Sequence, residues 1–319
     1  MLESTSKTFN GPDGPMRIAF SEATVEQRVQ CAKLAAAPFG SPLSEAEYLE
    51  RDEFLGQQLL AHNNGWRCWC LFRVDSPNQI FATCKTLRRD FVVRDANGAR
   101  KQPGFCLSSV VTDSRYRRQG LASLLLTRLA EWLDGPGNAT DMSSLCERDV
   151  ANTMAKFEKL EVGSNETHIA VVPTEEIISW LHGRAAFTCA KIYGQAPQSH
   201  GRLCESADVW LYWFHDFRKR QLAVQRVGGN IEKSGLQKRA AAKLLLDALE
   251  EASRFNLPKV VVWDPSHGLE SAMDILEQGF SVEVKTEERI GRSIPSVRWK
   301  CSNEPEDTVL QLNEFYAWS

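Results

Sequence analysis

The chain has no C-x-x-C pair, its six histidines show no H-E-x-x-H or other metal-ligand spacing, and no run of about 18 apolar residues occurs. A metal site and a membrane span are therefore not expected. The start, MLESTSKTFNGPDGPMRIAF, lacks an apolar signal core, so the expectation is a soluble, cytoplasmic protein. The phosphate loop G-x-x-x-x-G-K-[ST] and the dinucleotide fingerprint G-x-G-x-x-G are both absent. Excess positive charge is absent too: the net charge is −3, which argues against general nucleic-acid binding. Nine cysteines, an odd number, are scattered along the chain, and Cys68 and Cys70 in WRCWCLFRV fall on one face of a strand. They read as core thiols of a reducing compartment. The sequons at Asn138 and Asn165 then meet no glycosylation enzyme.

What the chain does contain is core material. Of 319 residues, 43% are hydrophobic and 25% charged, enough for two domains of ordinary size or one unusually large one. The first fifteen or so residues are polar, rich in Gly and Pro, and expected to fray. Helices are expected from Thr24 to Ala37 and from Ser44, whose Glu47 partner three residues on forms a capping box. Three short strands follow, Trp66 to Val74, Gln79 to Leu87 and Phe91 to Arg94, separated by Asp75-Ser76-Pro77-Asn78 and Arg88-Arg89-Asp90 as turns. DANGARKQPG reads as a loop, and the next strand opens near Cys106.

That strand begins the most informative stretch, CLSSVVTDSRYRRQGLASLLLTRLAEWLD, from Cys106 to Asp134. It reads as an apolar strand, a basic turn with one glycine, and a long amphipathic helix. A helix start offers backbone N–H groups with no internal partner and roughly half a positive charge. Gly120 lets the backbone come close to a ligand, and Arg117 and Arg118 add formal charge. Spacing alone leaves a phosphate cradle and a plain structural turn both open.

Beyond it, a strand at Ser143 to Cys146, a helix at Asp149 to Leu160, a strand at Thr167 to Val172 and a helix at Thr174 to Leu181 are expected. From Thr188 to Ser206 the chain reads as irregular. A second strand–helix alternation then starts at Asp208: VWLYWFHDF, QLAVQRVG, the helix LQKRAAAKLLLDALEEASRF, the strand KVVVW, the helix SAMDILEQGF and the alternating strand SVEVK.

Arg117-x-x-Gly120-x-Ala122 matches the Q/R-x-x-G-x-G/A signature of the GNAT acetyltransferase superfamily, which this stretch resembles. LSEAEYLERDEFL (Leu43 to Leu55), ATCKTLRR (Ala82 to Arg89), SSVVTDSRYRRQGLA (Ser108 to Ala122) and WLYWFHDF (Trp210 to Phe217) resemble the fungal lysine N-acetyltransferase family within it. The resemblance implies an α/β (α+β) chain: a GNAT fold with a mixed central sheet flanked by helices over 1–187, a connection over 188–207, and a degenerate second GNAT-like half over 208–319. That second half lacks the Arg-x-x-Gly-x-Ala turn and is expected to complete a substrate pocket.

The resemblance also implies transfer of an acetyl group from acetyl-CoA, as co-substrate, to a small-molecule amine, lysine or a related amino compound, by direct attack in a ternary complex. Backbone at Val110, Val111 and Thr112 would hold the pantetheine arm. The amides of Arg117, Arg118, Gln119, Gly120, Leu121, Ala122 and Ser123 would wrap the pyrophosphate, where a Cβ at Gly120 would push a phosphate away. One departure stands out. Where many relatives carry FYEKLGF this chain has KFEKLEV, so Phe157 replaces the tyrosine that would protonate the departing thiolate, and phenylalanine donates no proton. The catalytic acid is thus unassigned, and no general base is evident. Asp113, Glu147 and Asp149 at strand ends read as helix caps or solvated charges. His215 and Asp216, being adjacent in a strand, face opposite ways and form no dyad. His168 starts a strand with no partner in view, and Cys106 and Cys146 read as core thiols. A GNAT scaffold reused for other biosynthetic chemistry, and a non-catalytic acyl-CoA-binding module, remain the alternatives. The oligomeric state is not legible.

Overall fold

The computed structural model describes residues 7–11, 14–135, 147–163, 166–288, 296–298 and 307–318. The chain divides into two compact units. The first comprises Met1–Phe91, Lys101–Val150 and Thr174–Trp180; the second comprises Val92–Arg100, Ala151–Pro173 and Leu181–Ser319.

β1 (Lys7–Gly11), β2 (Gly14–Glu22), β3 (Trp66–Arg73) and β4 (Ser76–Asp95) form an antiparallel meander, and β5 (Gly98–Thr112) pairs with β4; apart from the β4–β5 tip at Val92–Arg100 these strands belong to the first unit. Alternation along β3 sorts its side chains to two faces. Cys68 and Cys70 pack with Cys31 of α1 (Val25–Phe39), while Trp69 and Leu71 pack with Leu121, Leu125, Leu129 and Trp132 of α3 (Leu121–Leu133). α1 and α2 (Glu45–Gly56) both start in capping boxes, Thr24 with Gln27 and Ser44 with Glu47.

Several expectations change. The N-terminal residues from Lys7 pair as β1, and Phe9 lies 6.3 Å from Phe81, centroid to centroid. Arg88-Arg89-Asp90 is no turn but the buried interior of the 20-residue β4. DANGARKQPG is not one loop: Ala96-Asn97 makes a tight turn, and β5 begins at once with Gly98 at φ +113°.

The second unit carries a four-stranded sheet in the order β10-β9-β8-β7, made of β7 (Gly201–Cys204), β8 (Val209–Asp216), β9 (Gln221–Gly228) and β10 (Val260–Val261). β8 and β9 form a hairpin, and β10 joins β9 in parallel. α6 (Gly235–Arg254) and α7 (His267–Phe280) supply Ala241, Leu244, Ala248, Leu269 and Leu276 to its core, facing Leu211, Trp213 and Leu222. β6 (Glu166–Val171) and β11 (Asp307–Leu310) pair in parallel as members of the seven-stranded sheet; the Tyr316 hydroxyl donates to the Val171 carbonyl at 2.6 Å.

Here too the reading is corrected. α5 (Glu175–Tyr193) runs twelve residues past Leu181, because Leu181, Ala185 and Cys189 recur at helical spacing and are all buried. Of the stretch from Thr188 to Ser206, α5 takes the part up to Tyr193 and β7 takes Gly201–Cys204, while residues 194–200 form the irregular connection that was expected. SVEVK alternates in exposure yet forms no strand among the described residues. α4 (Glu147–Glu158) falls where a helix was expected; the expected strand at Ser143 to Cys146 and both sequons lie outside the described residues. Seven cysteines are described, all free thiols, five of them buried. No helix among the described residues is long and apolar enough to cross a membrane.

Candidate functional site

The site grows from the end of β5. Ser109 adopts a left-handed φ of +53°, which breaks the two-residue alternation: Leu107 and Val110 are exposed while Val111 turns inward against Tyr48 and the alanines of α1. Val110 and Thr112 thus lie along an accessible strand end. The amide of Asp113 donates to the Phe81 carbonyl at 2.9 Å, tying that end to β4.

A single 3-10 turn, Ser114–Tyr116, follows. Asp113 caps it, accepting from the Arg115 amide at 3.0 Å and pairing with the Arg115 guanidinium at 2.8 Å. Those Arg115 hydrogen bonds hold the Asp113 carboxyl below the usual carboxylate range. Tyr116 is fully buried, its ring edge-on to Phe81 at 4.8 Å and its hydroxyl accepting from Gln79 Nε2 at 3.3 Å. It is the anchor of the turn. The reading of the residues passed over it, although an aromatic inside a run of arginines is a visible sign of a buried foot.

Above that anchor the chain is open. Arg117, Arg118, Gln119, Gly120 and Ser123 are exposed, Ala122 half-buried, and Leu121 buried as the first core residue of α3. Arg117 Nε donates to the Thr112 carbonyl at 3.3 Å, folding the turn back on β5. Arg118 sits at φ +59° and Gly120 at φ +77°, Gly120 serving as N-cap of α3 with no side-chain cap. The N-terminal amides of α3 therefore point outward without a capping side chain. A Cβ added to Gly120 would meet nothing within 4 Å. The requirement for glycine in this structure is thus the left-handed backbone, and the space in front of it is free for a ligand.

The end of β5, the turn and the start of α3 all belong to the first unit. Phe157 is buried in α4 and belongs to the second. Asp113 is occupied as a cap. His168 has partners after all: Gln311 Nε2 lies 2.9 Å from its Nδ1 and Glu166 Oε2 lies 3.4 Å from its Nε2. His215 is buried beside Glu251, and Asp216 accepts from the Lys219 amide. Among the described residues no group of three or more His, Cys, Asp or Glu is placed to hold a metal ion. Cys106 is half-buried; Cys146 lies outside the described residues.

One further cluster on the α2 face was not foreseen. Lys85, buried on β4, pairs with Asp52 of α2 and lies 4.9 Å from the Trp66 ring centroid. Burial pulls its ammonium down, but Asp52 more than offsets this and leaves it above its ordinary range.

A strand end, an open basic turn and an uncapped helix start define a protein that can present backbone amides to a phosphorylated carrier. Residues 29–160 match the model of the acetyltransferase (GNAT) family. Residues 130–319, more than half of the chain, match the LYC1 GNAT-like C-terminal domain, and the chain belongs to that family of the GNAT superfamily. Its class is accordingly that of the acyltransferases, and GNAT acetyltransferases use acetyl-CoA. No curated protein matches the chain.

Solved structures align over parts of it. A probable N-acyltransferase from Enterococcus faecalis V583 is 17% identical over 36% of this chain, which spans only 26% of that protein, at a TM-score of 0.28. Glucosamine-6-phosphate N-acetyltransferase from Arabidopsis thaliana is 14% identical over 46% of this chain and 95% of its own, at 0.25. A predicted acetyltransferase with acetyl-CoA from Clostridium acetobutylicum is 14% identical over 46% and 91%, at 0.27. TM-scores this low say nothing about substrate.

Proposed function

We propose that the protein is an acetyl-CoA-dependent N-acetyltransferase for a small-molecule amine, lysine or a related amino compound, attacking directly in a ternary complex. The observation that carries this reading is the Gly120 N-cap: an exposed left-handed glycine opening α3 beside Arg117 and Arg118, with free space before it. The amides from Arg117 to Ser123 would hold the pyrophosphate. The backbone of Val110, Val111 and Thr112 would hold the pantetheine arm along β5. Acetyl-CoA supplies an activated thioester; the chain's part is to orient it and exclude water from the attack.

Titration with acetyl-CoA and with CoA tests the cradle, and no binding at submillimolar concentration sinks the reading. Thiol release across an amine panel including lysine tests the transfer. Phe157, buried and unable to donate a proton, favours a second reading in which the scaffold binds acyl-CoA without transferring from it or serves other chemistry. Robust thiol release with an amine excludes the pure binder; coenzyme affinity without release under any amine supports it.

A further inference from the structure

The second unit gathers three of the six histidines in one place, His215 buried and His182 and His200 half-buried. His182 on α5 stacks on His200, in the loop before β7, with ring centroids 4.2 Å apart and planes inclined by 15°. His200 meets His215 of β8 edge-on at 5.9 Å. His182 Nε2 lies 3.0 Å from Gln225 Oε1 on β9, and His215 Nε2 lies 3.0 Å from Glu251 Oε1 on α6. The loop itself is pinned at this point, since the Trp213 amide donates to the His200 carbonyl at 2.8 Å and Trp213 Nε1 to the Ser199 carbonyl at 3.2 Å. Four elements and one loop thus converge on three imidazoles. None of this belongs to the coenzyme cradle, and the inference does not rest on the acyl-transfer reading.

The surroundings accept imidazole and reject imidazolium. The Nδ1 atoms of His200 and His215 are buried with no hydrogen-bond partner. A proton there would be a charged donor in the core with nothing to receive it. Two such charges would also stand ring against ring. Glu251 on α6 faces the cluster and in turn interacts with the cationic Arg202 on β7 and Arg254 on α6, with the Glu250 carboxylate and with the Cys189 thiol of α5, while Tyr212 on β8 sets its ring edge-on to His182 at 6.3 Å. Burial is the main influence holding His182 down to about 4 and His215 down to about 3, with neighbouring histidines adding to it; burial lowers His200 as well. Glu251 is raised by burial and works the other way, taking a proton in the folded state before it would in the unfolded one.

We propose that His182, His200 and His215 form an acid-released latch of the second unit, closed while all three rings are neutral and opened when protons compete for them. The direction follows from linkage. A histidine whose folded value lies below its unfolded value of about 6.5 binds more protons when unfolded, so stability is complete above about pH 6.5 and falls as pH drops toward the folded values near 4 and 3. The unfolding equilibrium constant should rise about 30-fold between pH 8 and pH 5 for His182, and about as much again for His215.

The test uses the full chain without coenzyme. Denaturant unfolding at pH 8, 6.5 and 5, followed by tryptophan fluorescence, is compared between wild type and His182→Gln. The expected result is a steep loss of stability for wild type and a loss smaller by about 30-fold in equilibrium constant for the variant. An equal pH dependence in both overturns the proposal. Should the variant not fold, histidine ring proton signals of the wild type decide. Three signals still unshifted at pH 5, told apart from those of His62, His168 and His267 by substituting these three in turn, support the latch; three that titrate as free imidazole overturn it.

Discussion

At Gly120 a left-handed backbone and an open foreground meet in one residue, so Gly120→Ala separates conformation from contact. The alanine clashes with nothing, yet holding it at φ +77° costs about 1–2 kcal/mol. The expected outcome is coenzyme affinity weaker by about tenfold or more, read by calorimetric titration, with the fold kept. Asp52 makes the opposite kind of prediction. Asp52→Ala strands the buried Lys85 ammonium and should destabilise the protein by about 3–5 kcal/mol in denaturant unfolding. Asp52→Leu combined with Lys85→Met should recover most of that loss. Because the folded Lys85 value is raised, its stabilisation is complete below about pH 10.5 and disappears as pH climbs through the folded value. The alkaline arm of the wild-type stability curve should therefore be flattened by the Lys85→Met, Asp52→Leu pair.

Among the elements, α3 does two jobs at once: its first turn faces solvent and its far face fills the core with Leu121, Leu125, Leu129 and Trp132. Leu125→Ala, at a fully buried position, should cost about 2–5 kcal/mol by thermal or denaturant unfolding. Its effect on coenzyme affinity, measured below the transition, should be small, because the cradle is made of backbone amides and Leu125 lies on the opposite, core-facing side of α3. This element was legible beforehand because its apolar period, its glycine and its basic turn are all local. β4 and α5 were not. Arg88-Arg89-Asp90 has a turn's composition, and only burial within the sheet keeps it extended. α5 could have been followed further, since nothing in His182-Gly183-Arg184 stops a helix whose apolar residues keep returning every four positions. The hairpin turn at Ala96-Asn97 was likewise written in the chain and read as loop.

For the molecule as a whole, the near balance of charge sets a simple expectation. With a net charge of −3 and an isoelectric point near 6.1, solubility should pass through a minimum close to pH 6, checked by precipitation with a neutral polymer across pH 5 to 8. Coenzyme affinity should instead fall with added salt, since Arg117 and Arg118 are exposed charges whose reach is about 10 Å at 0.1 M. Arg118→Ala should make that salt dependence shallower. The sequence by itself determined the superfamily turn, the two-part α/β plan and the absence of a tyrosine at Phe157, because each rests on neighbours within a few residues or on residue identity alone. Only the tertiary structure decided that Tyr116 is the foot of the turn, that Asp52 and Lys85 meet from α2 and β4, and that three histidines spread over 34 positions share one core. Those are contacts between distant segments, and their energies come from burial and pairing that no local pattern encodes.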